Sequence, residues 1–284
     1  MKKCQRHIKN KMPTRTFMNN KSNNDVPIDA EPIASTEKSA EKKTPIAPKQ
    51  ERAIWAIVPA AGLGRRMGSD LPKQYLTINK KTILEHTLTR LLSVESITAI
   101  VVVLDENDQV FATLPCAKNT RLMTAFGGKE RCDSVLSALI ALQQKVASND
   151  CVLVHDAARC CILPSRVSEL IACLKDDNVG GLLGVPVSDT LKQVDGHRKS
   201  TQTLDRSIVW AAQTPQLFPY DLLKLSLEKA IAANEVITDE ASAIEFSGLQ
   251  PQMVMGHYDN IKVTHPNDIL IAGAIMDYQS LMIK

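Results

Sequence analysis

From residue 53 onward the chain alternates between two textures, and that alternation limits its folds more than any other feature. Runs that are apolar almost throughout, AIWAIVPA (53–60), ITAIVVVLD (97–105), CVLVHDAAR (151–159) and GGLLGVPV (180–187), are separated by segments with apolar residues at helical spacing. A strand that is apolar on both faces needs cover on both faces, which is the signature of a parallel sheet. In KTILEHTLTRLLSV (81–94), Ile83, Leu84, Leu88, Leu91 and Leu92 fall on one helical face. DSVLSALIALQQ (133–144) and SRVSELIACLKDD (165–177) read as further helices, the latter with Ser165 as N-cap and Glu169 in its first turns. The order of elements predicts an α/β fold, a Rossmann-like mainly parallel sheet with helices on both faces.

The rhythm breaks at residues 189–213. Two β-type runs flank Asp195-Gly196, a hairpin signature with few apolar residues for its length. A lone two-stranded hairpin is barely stable in water, so this stretch reads as a projecting arm that leans on a partner subunit. Beyond it come a helix over 220–234, a shorter one from Asp239 with Thr238 as N-cap, a strand PQMVMG (251–256) and a last helix from Pro266.

Residues 1–52 lack sustained apolar periodicity and are rich in Lys, Asn, Pro, Ser and Glu, which reads as a disordered extension before a single domain over 53–284. This tail holds 12 Lys/Arg against 6 Asp/Glu, and the domain 22 against 25, so the net +3 belongs to the tail. No basic face on the folded part points to nucleic acid. No apolar run reaches membrane-spanning length, and no secretory signal core is present. The seven cysteines form no CxxC pair. Reduced thiols in a cytoplasmic protein are the expectation.

Ligands of open α/β sheets bind beyond the carboxyl ends of the strands. The first such end carries PAAGLGRRMGSDLPKQY (59–75). Gly62, Gly64 and Gly68 give G-x-G-x-x-x-G, which is neither the dinucleotide fingerprint nor a Walker A loop. Arg65, Arg66 and Lys73 crowd it with cations. Glycines let backbone N–H groups approach phosphate oxygens, arginine adds a planar fork of donors and lysine a mobile point charge. The segment reads as a cradle for a triphosphate under attack.

The same loop, followed by TILEHTL, resembles the 2-C-methyl-D-erythritol 4-phosphate cytidylyltransferases of the non-mevalonate isoprenoid pathway. The resemblance continues in order through FGGKERCDSV (126–135), VLVHDAAR (152–159), VPVSDTLK (185–192), LDRSIVWAAQTPQLF (204–218), ITDEASAIE (237–245) and DNIKVTHPND (259–268), covering nearly all of 53–284 and none of 1–52. It implies transfer of CMP from CTP to methylerythritol phosphate, with Mg²⁺, in a homodimer built through the arm. Ribitol 5-phosphate cytidylyltransferases share the loop and the Gln-Thr-Pro-Gln, and differ in the acceptor. A non-catalytic nucleotide-binding module is the rival from another class, against which Arg66 and Lys73 both stand.

Residue by residue, the resemblance implies that Arg66 and Lys73 stabilise the pentavalent α-phosphorus. Ala60, Ala61, Gly62 and Gly64 contact the nucleotide, and Gly128 and Ser134 read the base. Asp156 holds Mg²⁺, with Asp259 as a second carboxylate. Thr190, Arg206 and Lys262 hold the methylerythritol phosphate, Arg206 serving the other subunit's site, and Arg159 takes a phosphate or local ion-pair role. Two positions depart from the family pattern: Lys129 in the base-reading segment, and Cys160, where proline is usual.

Overall fold

The computed structural model of the chain describes residues 51–62 and 71–282. The chain divides into Met1–Lys49 and Gln50–Lys284, and all described residues belong to the second unit. The expectation of a disordered extension falls on residues that, as far as 50, lie outside the described ones. Arg52 already belongs to the folded body, donating to the carbonyls of Lys175 and Asp177 at 3.1 and 2.8 Å.

The elements run β1 (Ile54–Pro59), β2 (Thr77–Ile78), β3 (Lys81–Thr82), α1 (Ile83–Leu92), β4 (Ile97–Leu104), β5 (Leu122–Phe126), α2 (Arg131–Leu142), β6 (Cys151–Val154) and α3 (Pro164–Leu174). Then follow β7 (Gly181–Pro186), β8 (Lys192–Val194), β9 (Ser200–Thr203), β10 (Trp210–Pro219), α4 (Tyr220–Ala232), α5 (Glu240–Phe246), β11 (Gln252–Met255) and α6 (Pro266–Met282). Among the described residues, seven strands form one sheet in the order β11-β7-β10-β6-β1-β4-β5. All neighbours are parallel except β10, which runs antiparallel to both β6 and β7. The mainly parallel α/β architecture expected from the sequence is present.

Alternate residues of the buried strands feed two cores. Ala56 and Val58 of β1 pack with Leu84, Leu88 and Leu91 of α1 and with Val167 and Leu170 of α3. Ile57, on the opposite face, joins Val135 and Leu139 of α2 and Leu223 and Leu227 of α4. Each fully buried Leu or Ile contributes about 1.5–3 kcal/mol relative to exposure, so this two-sided burial fixes the register of the central strands. α1 starts on a capping box in which the Thr82 hydroxyl accepts from the Glu85 N–H and the Glu85 carboxylate accepts from the Thr82 N–H.

Several local expectations are corrected. β5 was not anticipated; it is an edge strand whose residues are partly or fully exposed, so it lacks the continuous apolar run of its neighbours. The second run of the hairpin does not end at Gln213, because Trp210 to Pro219 enters the central sheet as β10. Ser165 does not cap α3: Leu163 holds the N-cap position, and Pro164, with its preset φ, begins the helix. Asp239, not Thr238, caps α5, accepting from the Ser242 N–H at 3.0 Å.

β8 and β9 pair only with each other, and every residue from 192 to 208 is exposed. The turn is tied by the Asp195 carboxylate, which accepts from the N–H groups of His197 and Lys199, both at 2.9 Å. The projecting arm is therefore ordered by its turn and backbone ladder and contributes little to the core.

Candidate active site

At the carboxyl ends of β1, β5 and β6 a cleft of about 300 Å³ opens. One wall is the turn after β1, where Ala60, Ala61 and Gly62 face it. That turn is held from below by the buried Gln74 side chain, whose amide donates to the Ala60 carbonyl at 2.6 Å. The opposite wall is the β5–α2 turn with Gly128 and Ser134. The two walls touch behind the cleft: a Cβ on Gly127 would overlap the Ala61 methyl and meet the Ser134 hydroxyl at 2.9 Å. Glycine is required there by close approach. The Ser134 hydroxyl accepts from the Gly128 N–H at 3.1 Å, which fixes the turn's shape. Lys73 lines the cleft and reaches the Val263 carbonyl at 3.3 Å.

A second, polar cleft of about 230 Å³ adjoins the first. It is built by the bulged middle of β10 (Gln213, Thr214, Gln216) and by Thr238 and Asp239 before α5. Asp156, Arg131 and Lys262 line both clefts and form the partition between them.

The partition is a charged lattice around Asp156. One carboxylate oxygen, Oδ1, lies 3.1 Å from Arg131 Nε. The other, Oδ2, lies 2.8 Å from Lys262 Nζ and 3.6 Å from Arg159 Nε. Burial by itself raises the Asp156 pKa, but Arg131, Lys262 and Arg159 outweigh it and hold the carboxyl well below the usual range. Arg131 spends its two terminal nitrogens on Glu240, at 2.6 and 3.0 Å. Burial opposes the Arg131 charge, yet Glu240 and Asp156 together keep it firmly protonated. For Glu240, only 1% exposed, burial pushes the carboxyl up against the pull of Arg131. Arg159 is tied to the Asn260 carbonyl at 2.7 Å.

Next to Asp156, His155 is buried and neutral. Thr214 Oγ1 lies 3.1 Å from its Nδ1, while Nε2 lies 3.1 Å from the Arg159 carbonyl. Nε2 therefore carries the proton, and the Thr214 hydroxyl donates to Nδ1 while accepting from the Asp156 N–H at 3.0 Å. Burial lowers the imidazole pKa to about 4. Through these bonds the residue ties the end of β6 to β10.

The geometry is accompanied by clear sequence kinship. The family model described as IspD, 2-C-methyl-D-erythritol 4-phosphate cytidylyltransferase, matches residues 54–278. The chain belongs to this family. The protein of that name from Pseudomonas putida KT2440 is 48% identical over 218 residues, covering 76% of this chain and 93% of the relative. The one from Pseudomonas syringae pv. syringae B728a is 49% identical, covering 76% and 92%. Among solved structures, a 4-diphosphocytidyl-2C-methyl-D-erythritol synthase superposes with a TM-score of 0.69 at 36% identity, covering 79% of this chain and 99% of that one. The Francisella tularensis 2-C-methyl-D-erythritol 4-phosphate cytidylyltransferase gives 0.68 at 33% identity, covering 78% and 99%.

As a member of the cytidylyltransferase family the chain is a transferase, and the site residues expected from its sequence are placed as follows. Ala60, Ala61, Gly62, Lys73, Gly128, Ser134, Asp156 and Lys262 share the first cleft, and Arg159 lines the second. Thr190 and Arg206 are exposed in the arm segment and line neither cleft; Arg206 donates to the Ser188 carbonyl at 2.5 Å. Gly64, Arg65 and Arg66 lie outside the described residues.

Asp259 does not join Asp156 as a second carboxylate. It lines neither cleft, and its oxygens are taken by His257 Nδ1 and Gln279 Nε2, both at 2.8 Å. Among the described residues no group of three or more acidic, His or Cys side chains forms a metal cage. Of these residues, Asp156 and Glu130 are the carboxylates lining the first cleft, and Asp156, whose oxygens here meet Arg131 and Lys262, is the hard oxygen donor that would suit Mg²⁺ alongside phosphate and water. Cys160, at the position where proline is usual, and Cys161 are buried free thiols in the cluster that Ala272 and Met276 of α6 join. Sequence reading gave Arg131 no role and took Glu240 only as an acid favoured at a helix start. Each is the first residue of its helix, Arg131 of α2 after β5 and Glu240 of α5 after α4.

Proposed function

We propose that this cytidylyltransferase transfers CMP from CTP to 2-C-methyl-D-erythritol 4-phosphate, giving 4-diphosphocytidyl-2-C-methyl-D-erythritol and pyrophosphate. The observation that carries the reading is the pair of clefts joined at Asp156 and Lys262. The first suits a nucleotide triphosphate and the second a small polar phosphate, so an oxygen of one can face a phosphorus of the other.

In this reading an acceptor phosphate oxygen forms a bond to the α-phosphorus while the α–β bridging bond breaks, and pyrophosphate leaves with the electron pair. No proton needs to be removed, because the acceptor phosphate is already anionic. Lys73, with Arg66 from the glycine-rich loop, stabilises the negative charge that grows on the equatorial oxygens. Backbone groups of Ala60, Ala61, Gly62 and Gly64 hold the phosphates, and Gly128 and Ser134 border the pyrimidine. Lys262 and Arg159 face the acceptor phosphate. Asp156 would hold Mg²⁺, which when bound neutralises triphosphate and pyrophosphate charge. Thr190 and Arg206, absent from this chain's clefts, reach the acceptor of a partner subunit through the arm, which makes the working unit a homodimer in the cytoplasm.

The test is pyrophosphate release from CTP and Mg²⁺ with methylerythritol 4-phosphate and ribitol 5-phosphate offered in parallel. Turnover on the first alone is expected, and Lys73→Ala should lower kcat by roughly 10²–10³, the cost of removing one transition-state donor. Turnover on ribitol phosphate alone would overturn the acceptor, and turnover on neither would overturn the reading.

A further inference from the structure

The partition between the clefts contains an oddity. Arg131 is the first residue of α2, where the helix dipole disfavours a cation, and the acids expected there are supplied by Glu130 and Asp133. Its ion pair with Glu240 is buried on the Glu240 side, and burying a pair of charges costs desolvation that an apolar pair of equal volume would avoid. Tying α2 to α5 does not require it.

The use of each nitrogen explains the choice. Glu240 grips the two terminal nitrogens as a fork, and this fixes the plane of the guanidinium. The remaining donor, Nε, then points at Asp156 Oδ1. With Oδ1 tethered, Oδ2 is the oxygen left to hold Lys262 at 2.8 Å on the boundary of the two clefts. The chain of contacts Glu240–Arg131–Asp156–Lys262 thus runs from the first turn of α5 to the ammonium between the clefts. Only a residue with a rigid planar set of donors can face two carboxylates at once in this way; a lysine cannot.

We infer that Arg131, braced by Glu240, is a positioning residue that orients Asp156 and through it sets where Lys262 meets the acceptor phosphate. The inference deepens the reading above and rests on it for the identity of the acceptor. Glu240→Gln keeps the shape and removes one arm of the fork, and Arg131→Lys keeps the charge and removes the fork. Both should raise the acceptor KM and lower kcat on the order of 10-fold, as small misplacements of a binding group do, and raise KM for CTP by clearly less than the acceptor KM. The double variant should be no worse than either single one, because one chain of contacts is broken once.

A second readout does not depend on which acceptor is used. Lys262 is partly exposed, and its ammonium is tied to Asp156. Labelling of the full chain with an amine-acetylating reagent, read by mass spectrometry, should modify Lys262 several-fold faster in both variants than in the parent, relative to the exposed Lys145. Unchanged labelling, equal rises in both KM values, or wild-type kinetics from Arg131→Lys would each overturn the inference. Failure of the parent to use methylerythritol phosphate would instead count against the proposed function, and the labelling result would still decide the role of Arg131.

Discussion

His155 is fully buried, and that desolvation outweighs the hydrogen bonds and the Asp156 charge that favour the charged ring, so its protonation works against the fold. Its pKa falls from 6.5 to about 4 on folding. The unfolded chain therefore binds a proton over that interval that the folded chain refuses. Stability is complete above pH 6.5 and is lost as pH falls toward 4, by on the order of 2–3 kcal/mol from this residue. Asp156 adds a loss of the same sign lower down, because its folded pKa also lies below its unfolded value. Urea midpoints measured from pH 7.5 to 4 should fall for the parent and run flatter between 6.5 and 4 for His155→Gln; parallel curves would sink the assignment. At this scale the sequence was legible where chemistry sat on a loop after a strand. Lys73, Asp156 and Lys262 were all chosen from their motifs and all line one cleft. Arg131 escaped because a charged residue at a helix start looks like a solvated one. Asp259, which the resemblance offered as a second carboxylate, is held by His257 and Gln279 and lines neither cleft.

Among the elements, the continuously apolar strands and the one-sided helices were readable, because burial on both faces or on one leaves a clear period. β5 and β10 were not. β5 is an edge strand with mixed exposure. β10 begins exposed at its arm end and becomes buried only from Gln213, so its first residues read as hairpin. The antiparallel insertion of β10 matters functionally, since it brings the bulged Gln-Thr-Pro-Gln stretch beside Asp156. Two element-level tests follow. Thr82→Ala removes the reciprocal cap of α1 and should cost about 1 kcal/mol in a denaturant titration with little change in turnover. Gly181 admits no side chain, because a Cβ there would overlap the Gln252 carbonyl. Gly181→Ala should therefore loosen β11 from β7, seen as faster amide exchange across Gln252–Met255 while β1 and β4 stay protected.

For the whole molecule, the folded part is mildly acidic by composition, while the site concentrates cations around one buried carboxylate. Local placement, not overall charge, is what draws an anionic substrate to this point. The arm is the other feature on this scale. It is exposed along its length, carries Arg206 away from its own chain's clefts, and gains nothing for the core that made it. If it completes a partner's site, as proposed, each chain supplies half of two centres. A chain broken in its own pocket would then still lend a sound arm, and a chain broken in its arm would still offer a sound pocket. Cells holding only Lys73→Ala, or only Arg206→Ala, would fail where cells holding both alleles recover, since half of the centres in a mixed pair are whole. Such rescue between two dead genes, absent if Arg206 acts within its own chain, would turn the reach of a hairpin into a heritable trait.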